Sequence, residues 1–426
     1  MTAATSTAVP LTRSEQKVRT RQRILGIIYL LVATAMVIAF ALSVEPADSS
    51  TFTLTPANAR ITVPNLVLPS AMAIYVLAAA VAFAGAVQLT RGFGARWALI
   101  MGLVAFAFVF AFLTWVAAGQ SMNLTGVLQT TVQRAVPIVF GALSGVLCER
   151  AGVVNIAIEG MLLSGAFISA VVTSVTDNPW LGIASAVLIG GLLALFLAVL
   201  AIRFRVDQII AGFFINILAT GLTAFLSVRI LQVNSAELNT PERLGPIHIP
   251  LLSDIPVIGP VLFQHNIFVY TLFALIALIH FGLFYTRWGL RVRAVGEHPK
   301  AADTVWINVY WVRYSTVVLG GMVAGFGGAY FTIGSTGAFE REMTAGRGFI
   351  GLAAMIFGGW SPIGSFLAGL VFGFADAIQA RLSILSIAIP SEFLLMVPYI
   401  VTIIIVAGVV GRARAPAADG KPYVKG

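Results

Sequence analysis

Charge is what this sequence has least of. Lys, Arg, Asp and Glu supply 10% of its 426 residues, whereas a soluble domain carries about a quarter. That inventory is too small to cover a soluble core, so a water-soluble enzyme and a disordered chain are both excluded. Lysine is scarcer still. Lys17, Lys300, Lys421 and Lys425 are the whole set, and none stands in the G-x-x-x-x-G-K-[ST] frame that cradles phosphates. The chain therefore has no means of hydrolysing ATP by itself. A single cysteine, Cys148, rules out an internal disulfide; at the end of an apolar run it reads as a small buried residue. No His, Cys and carboxylate cluster has metal-ligand spacing, and no Ser/His/Asp set stands out. The expectation is no catalytic residue and no metal.

What the sequence has instead is apolar length. Hydrophobic residues make up 59%, with a mean hydropathy of +0.95. Apolar runs extend over Ile24–Val44, 66–89, 97–118, 124–148, 156–176, 179–202, 209–231, 267–285, 313–333, 349–359, 364–380 and 393–410. Most reach the ~20 residues that a helical crossing needs. The predicted fold is therefore all-α: a polytopic membrane bundle of ten to twelve apolar segments. The 349–359 run is short and reads as a broken or re-entrant helix. Ala39-Phe40-Ala41 offers a signal-peptidase-like A-x-A, but the Ile24–Val44 run that contains it has full spanning length, which favours an uncleaved first span.

The net charge of +9 fits this architecture better than nucleic-acid binding. With the N-terminus inside and simple alternation, the inner intervals hold most of the Lys and Arg, as cytoplasmic loops do. Both termini are expected in the cytoplasm. Residues 1–23 form a basic tail, and 232–266, with Pro241, Pro246, Pro250, Pro256 and Pro260, reads as an outer loop or hairpin. The basic interval 286–312 reads as an inner loop with structure of its own.

Four segments carry more than hydrophobicity. In GVLCERAGVVNIAIEGMLLSGAF (145–167), Asn155 is placed to cap a helix starting at Ile156, with Glu159 in its first turn. The plain reading is that cap and acid. The functional one is an interrupted helix lining a pathway, because irregular backbone at membrane depth needs protein or water around it. In 287–314, Pro299 suits a first helical turn and KAADTVWI a short helix: either a basic loop at lipid headgroups or a docking helix for a partner. Gly320 to Tyr330 spaces small residues four apart for close helix packing, with Gly321, Gly325 and Gly328 in the stripe. In MTAGRGFIGLAAMIFGGWSP (343–362), Gly346-Arg347-Gly348 opens a short run whose amides could face a polar ligand; Arg347 could equally snorkel from an outer turn. Asn216 is a polar group within a seventh run, a helix bridge or a pathway residue. Arg134 and Asp376 are further intramembrane charges.

Together these motifs resemble a known family. The first is similar to the S-E-R-x-G-x-x-N-I-G-x-E-G-M stretch of nucleoside-type importer permeases of the ABC superfamily, a branch of the ribose, galactose and branched-chain amino acid permeases. RAVGEHPKAADTVWINVYWVRYSTVVLGGMVAG resembles their inner-loop motif and following span. The 343–379 segment and the terminal PAADGKPYVKG also resemble that family, so the similarity covers roughly 124–426. Ala157 and Trp306 stand where glycines are usual. The resemblance implies N-terminal spans over 24–118, a core permease domain over 119–410 and a cytoplasmic tail over 411–426. It implies nucleoside passage by alternating access in the bacterial cytoplasmic (inner) membrane. The partners implied are a second homologous permease, a cytoplasmic ATPase that uses Mg-ATP, and a lipid-anchored or periplasmic nucleoside-binding protein, besides membrane lipid and with no nucleic acid. No cofactor is expected on this chain. Arg293, Gly296, Glu297, Pro299 and Asp303 fall in the loop that would couple to the ATPase. The pathway residues expected are Asn155, Glu159, Asn216 and Arg347, and alanine at each is expected to lower uptake with assembly intact. Two alternatives remain: the same architecture importing a simple sugar, and a stand-alone proton-coupled carrier that depends on Glu159 or Asp376. A structural membrane protein without a substrate is a third class.

Overall fold

A computed structural model describes residues 13–55, 61–384 and 414–425. The apolar run at 393–410 lies outside the described residues. Among the described residues ten helices are long and apolar enough to cross a membrane, and Arg347–Phe357 is a shorter apolar helix. The chain divides into two compact units, Met1–Thr125 and Gly126–Gly426.

The first unit holds α1 (Arg13–Ala35), α2 (Ser70–Thr90) and α3 (Trp97–Val116). Helix α1 starts inside the basic segment expected to be a tail, and Arg21 lies over the ring of Trp97, 4.8 Å from its centroid. Tyr29, Met36, Phe40, Ile74 and Val104 fill the space between the helices. A small sheet closes this unit: β1 (Ser49–Thr53) pairs antiparallel with β2 (Leu66–Pro69) and parallel with β3 (Ser121–Asn123). The buried Ser50 hydroxyl donates to the Thr114 carbonyl and bonds the Ser70 hydroxyl, at 2.7 and 2.6 Å, so both buried hydroxyls are partnered.

The second unit is built on α4 (Leu124–Arg150), α5 (Ile158–Thr176), α6 (Pro179–Ala198) and α7 (Gln208–Leu226). The proline-rich stretch that follows carries α8 (Ser235–Leu238), α9 (Ile258–Phe263) and a two-stranded pair, β4 (Ile247–His248) with β5 (Gln264–His265). Then come α10 (Ile267–Tyr285), α11 (Arg287–Glu297), α12 (Pro299–Thr304), α13 (Val309–Phe331), α14 (Arg347–Phe357) and α15 (Pro362–Ile384). Helix α13 starts before the apolar run at 313–333 because Asn308 caps it, accepting from the Trp311 N–H at 3.0 Å. Pro137 interrupts α4 without orphaning a carbonyl. It has no N–H for the Gln133 carbonyl four residues back, and the Tyr330 hydroxyl donates to that oxygen instead, at 2.9 Å.

The glycine stripe of α13 is where three helices meet. Gly325 lies on the backbone of Gly165 in α5 and of Ala186 and Gly190 in α6; Gly321 faces Gly190 and Ala194, and Gly328 faces the Leu162 carbonyl. A methyl group at Gly325 meets backbone that has no side chain to rotate away. Gly325→Ala is therefore expected to cost about 1–3 kcal/mol, read as a fall in the thermal midpoint of the detergent-solubilised protein.

Contacts sort the connections of this unit into two ends. At one end Gly152 and Gly296 meet the 414–425 segment, and Arg150 donates to the Gly359 carbonyl. At the other, Asn239 bonds Phe339, Leu244 bonds Ile333 and Asn266 bonds Gly334. The first is the basic end, since it carries α11.

Candidate functional site

Between α4 and α5 the chain turns back on itself inside the bundle. Gly152, at φ +80°, takes the left-handed turn that a side chain resists; a Cβ there would stand 3.0 Å from the Arg313 guanidinium and 3.1 Å from the Ala418 carbonyl. The chain then retraces α4: Asn155 reaches Ser144 and Cys148, and Ile158 packs on Gly141 and Gly145. Helix α5 thus begins in the interior. This is the interrupted helix expected from the sequence, but Asn155 does not cap it. Position 157 precedes the helix and makes no side-chain cap. Asn155 turns toward α4, and its Oδ1 has no hydrogen-bond partner among the described residues. The cap comes from another helix. Asn216 of α7 accepts from the Gly160 N–H and donates to the Ile156 carbonyl, both at 2.8 Å.

The second interruption faces the first. Gly346 (φ +77°) precedes α14, and the amides expected to face a ligand face Glu159 instead. Its Oε1 accepts from the Thr344 hydroxyl at 2.6 Å and the Gly346 N–H at 2.8 Å; Oε2 accepts from the Gly348 N–H at 2.6 Å. One carboxylate therefore serves two helix N-termini, lying in the first turn of α5 and capping α14. Both positive dipole ends favour it. Gly348 cannot carry a side chain here, because a Cβ would come within 2.6 Å of the Glu159 backbone.

Arg347 does not snorkel. Its guanidinium pairs with Asp376 of α15 at 3.1 Å and lies over the Phe331 ring. Arg134 of α4 approaches the same carboxylate oxygen at 3.8 Å. Side-chain exposures of 43% for Arg134, 18% for Arg347 and 20% for Asp376 make this cluster the accessible polar part of the constellation. Asn155, Glu159 and Asn216 are buried. Arg134 and Asp376 are visible in the sequence as charges inside apolar runs, but their partnership with Arg347 is not.

At the basic end the segments expected to couple form one assembly. His298 caps α12 by accepting from the Ala301 N–H through Nδ1, with Pro299 in the first turn. The helix stops at Thr304, short of the KAADTVWI expected. Trp306 explains the stop: it is left-handed at φ +64° and 97% exposed. A glycine meets that backbone without strain, whereas a side chain there costs about 1–2 kcal/mol. Gly296 packs on the Arg150 carbonyl, and Arg293 and Arg150 both lie over the Phe284 ring.

The C-terminal segment fastens onto this surface. The Ala418 N–H donates to the Gly296 carbonyl at 2.9 Å, and the Ala417 N–H to Glu297 Oε2 at 3.2 Å. The Lys421 carbonyl accepts from Arg313, Tyr423 packs on Tyr310, and Tyr423 also hydrogen-bonds Asp303. Asp419 lies against Glu149 and Arg313. Burial pushes its carboxyl up to about 6, against the opposing pull of Glu149, the Gly420 amide and Arg313. An acid raised in the folded state stabilises while protonated, so this contribution is lost as pH climbs from about 4 to about 6. Asp419→Asn, which cannot ionise, is expected to raise the thermal midpoint at about pH 7–8 and to leave it unchanged near pH 4. A pH series of melting curves on the two proteins measures it.

The family model described as branched-chain amino acid transport system / permease component matches residues 127–406, starting where the second compact unit starts. The chain is 42% identical over 317 residues to a guanosine ABC transporter permease protein, NupQ, of Bacillus subtilis, covering 71% of this chain and 98% of that one. It is 42% identical over 319 residues to a nucleoside ABC transporter permease protein, NupC, of Lactococcus lactis, covering 71% and 99%. A putative glucose ABC transporter permease protein, TsgC13, of Haloferax volcanii is 35% identical over 264 residues, 62% of this chain and 80% of that protein. No solved structure matches significantly. A family match over most of the length and 42% identity to two ABC transporter permeases over nearly their whole length have one meaning: the chain belongs to the branched-chain amino acid transport system permease family, as the membrane-spanning subunit of an ABC importer.

Proposed function

We propose that this permease carries nucleosides inward across the bacterial cytoplasmic membrane, with the basic end and both termini in the cytoplasm. The observation that carries the substrate is the 42% identity to two nucleoside permeases from separate organisms over nearly their whole length. A cytoplasmic ATPase using Mg-ATP docks on α11, α12 and the fastened C-terminal segment. A second homologous permease completes the channel, and a lipid-anchored or periplasmic nucleoside-binding protein delivers solute at the opposite end. Arg134, Arg347 and Asp376 line the passage; Glu159, Asn155 and Asn216 hold its broken helices in place.

The test is uptake of tritiated guanosine and uridine by cells whose other nucleoside carriers are deleted, with and without this chain, followed by affinity purification. ATP-dependent uptake and co-purification of an ATPase and a second permease are expected. The likeness to a putative glucose permease supports a sugar as the second reading. Glucose uptake in the same cells, without nucleoside uptake, would replace the substrate and keep the architecture. Uptake that survives loss of the ATPase and collapses with an uncoupler would return the protein to the proton-coupled class.

A further inference from the structure

At the end opposite the coupling surface, a cavity of ≈ 210 Å³ opens beside α4, β4 and β5. Its polar wall is Gln129 and Gln133 from α4, His248 from β4, Gln264 and His265 from β5, and Asn266 at the start of α10. No Lys, Arg, Asp or Glu lines it among the described residues. Ligand pockets are usually lined by apolar groups with a few polar ones, so a wall of amides and imidazoles is a chemical statement. It offers hydrogen bonds of both senses and no permanent counter-charge. An ionised ligand gains nothing there against its desolvation; an uncharged, hydrogen-bonding one loses little.

The wall also holds unspent capacity. Asn266 donates through Nδ2 to the Gly334 carbonyl at 2.7 Å, which assigns its amide and leaves Oδ1 without a partner among the described residues. His265 is 1% exposed. Its Nε2 must donate to the Val261 carbonyl at 2.8 Å, because a carbonyl only accepts. Its Nδ1 is then an acceptor, also unpartnered among the described residues. Burial keeps this imidazole below its ordinary range, and so neutral. Two adjacent acceptors left unmet in a protein interior are costly. A ligand bearing N–H or O–H donors, with a small rotation of either side chain, supplies what both lack. The wall is built to last: Tyr270 ties the two strands by donating to Ile247 and accepting from the His265 N–H, and Gln129 donates to the Gln264 carbonyl at 3.2 Å.

We propose that this cavity is an entry vestibule that holds an uncharged, donor-bearing solute, a nucleoside on the function proposed above, and turns away its phosphorylated forms. Gln133 and His248 bind it directly, and Asn266 and His265 accept from its donors. The site is weak by design, since a passage must release what it admits.

The importer complex carrying this chain, in lipid nanodiscs and without its binding protein, is titrated with guanosine and with GMP by saturation-transfer NMR. Guanosine is expected to bind and GMP to fail. Gln133→Leu and His248→Ala should each weaken guanosine about five- to tenfold. His248 sits on an exposed strand end, so its alanine variant tests the site without threatening the fold. Guanosine uptake by cells carrying the unaltered chain, together with no binding in the nanodiscs, equal binding by both variants, or equal binding of GMP, would overturn the vestibule alone. No uptake of guanosine or uridine by those cells would overturn the nucleoside reading, and the ligand named for the vestibule with it.

Discussion

Replacing Glu159 by alanine is expected to remove about 3–6 kcal/mol of stability and most of the folded protein from the membrane. The estimate follows from counting donors. The Thr344 hydroxyl and the Gly346 and Gly348 amides all end on this carboxylate, and a buried donor left without a partner costs about 1–3 kcal/mol. Water cannot easily replace the side chain, because Gly348 sits directly on the Glu159 backbone. Thr344→Ala, which removes one donor and leaves two bonded, is expected to cost only about 1 kcal/mol. Membrane-fraction abundance and detergent melting curves on both variants give the comparison. A Glu159→Ala protein that accumulates and melts normally while transport fails would show that this residue belongs to the passage, as its sequence context suggests, and not to the frame.

The second large effect is expected from deleting residues 414–426. That segment meets the elbow at Gly152, the end of α11 at Gly296 and Glu297, and Arg313. Arg313 is the critical loss. It is 1% exposed, and its Nε and Nη2 have no partner among the described residues. Deletion takes the Lys421 carbonyl as well and leaves a buried guanidinium bare, at a cost of about 3–5 kcal/mol. Uptake is expected to fall at least about tenfold and ATPase co-purification to fall with it. Arg313→Met should recover stability in the truncated chain, since it removes the charge that lost its partner. Uptake should stay low in that double variant, because the surface over α11 and α12 remains open. Full transport by the truncated chain would mean that the segment is packing without a part in coupling.

Particular residues mark how far the sequence alone reaches. The two interruptions are legible because each needs a glycine in a left-handed turn, Gly152 and Gly346, beside charge in an apolar run. The helix count is legible for the same reason that the soluble classes are excluded. The closure of Glu159 on Gly348 is not, because it joins positions 189 residues apart and no local pattern encodes that. Asn155 shows a different limit. An N-cap acts from the position just before the helix, whereas α5 starts at Ile158, two residues beyond the start that Asn155 would cap, and Asn216 of α7 takes over the capping. Trp306 falls between these cases. The departure from glycine is plain in the sequence, but the left-handed backbone that gives it meaning is seen only in the fold.

The bridge between the two interrupted helices also sets a schedule for biogenesis. Glu159 emerges from the ribosome 185 to 189 residues before the groups that receive it. At about 5–20 residues per second, roughly 10–40 s pass between the two events. Throughout that interval the start of α5 carries an unmatched carboxylate that hydrocarbon rejects. It must wait near the interface or in the insertion machinery, so insertion of the first spans and their final packing are separate events. A chain that stalls before Thr344 would expose that carboxylate permanently, and membrane quality control would have a chemical mark by which to find it.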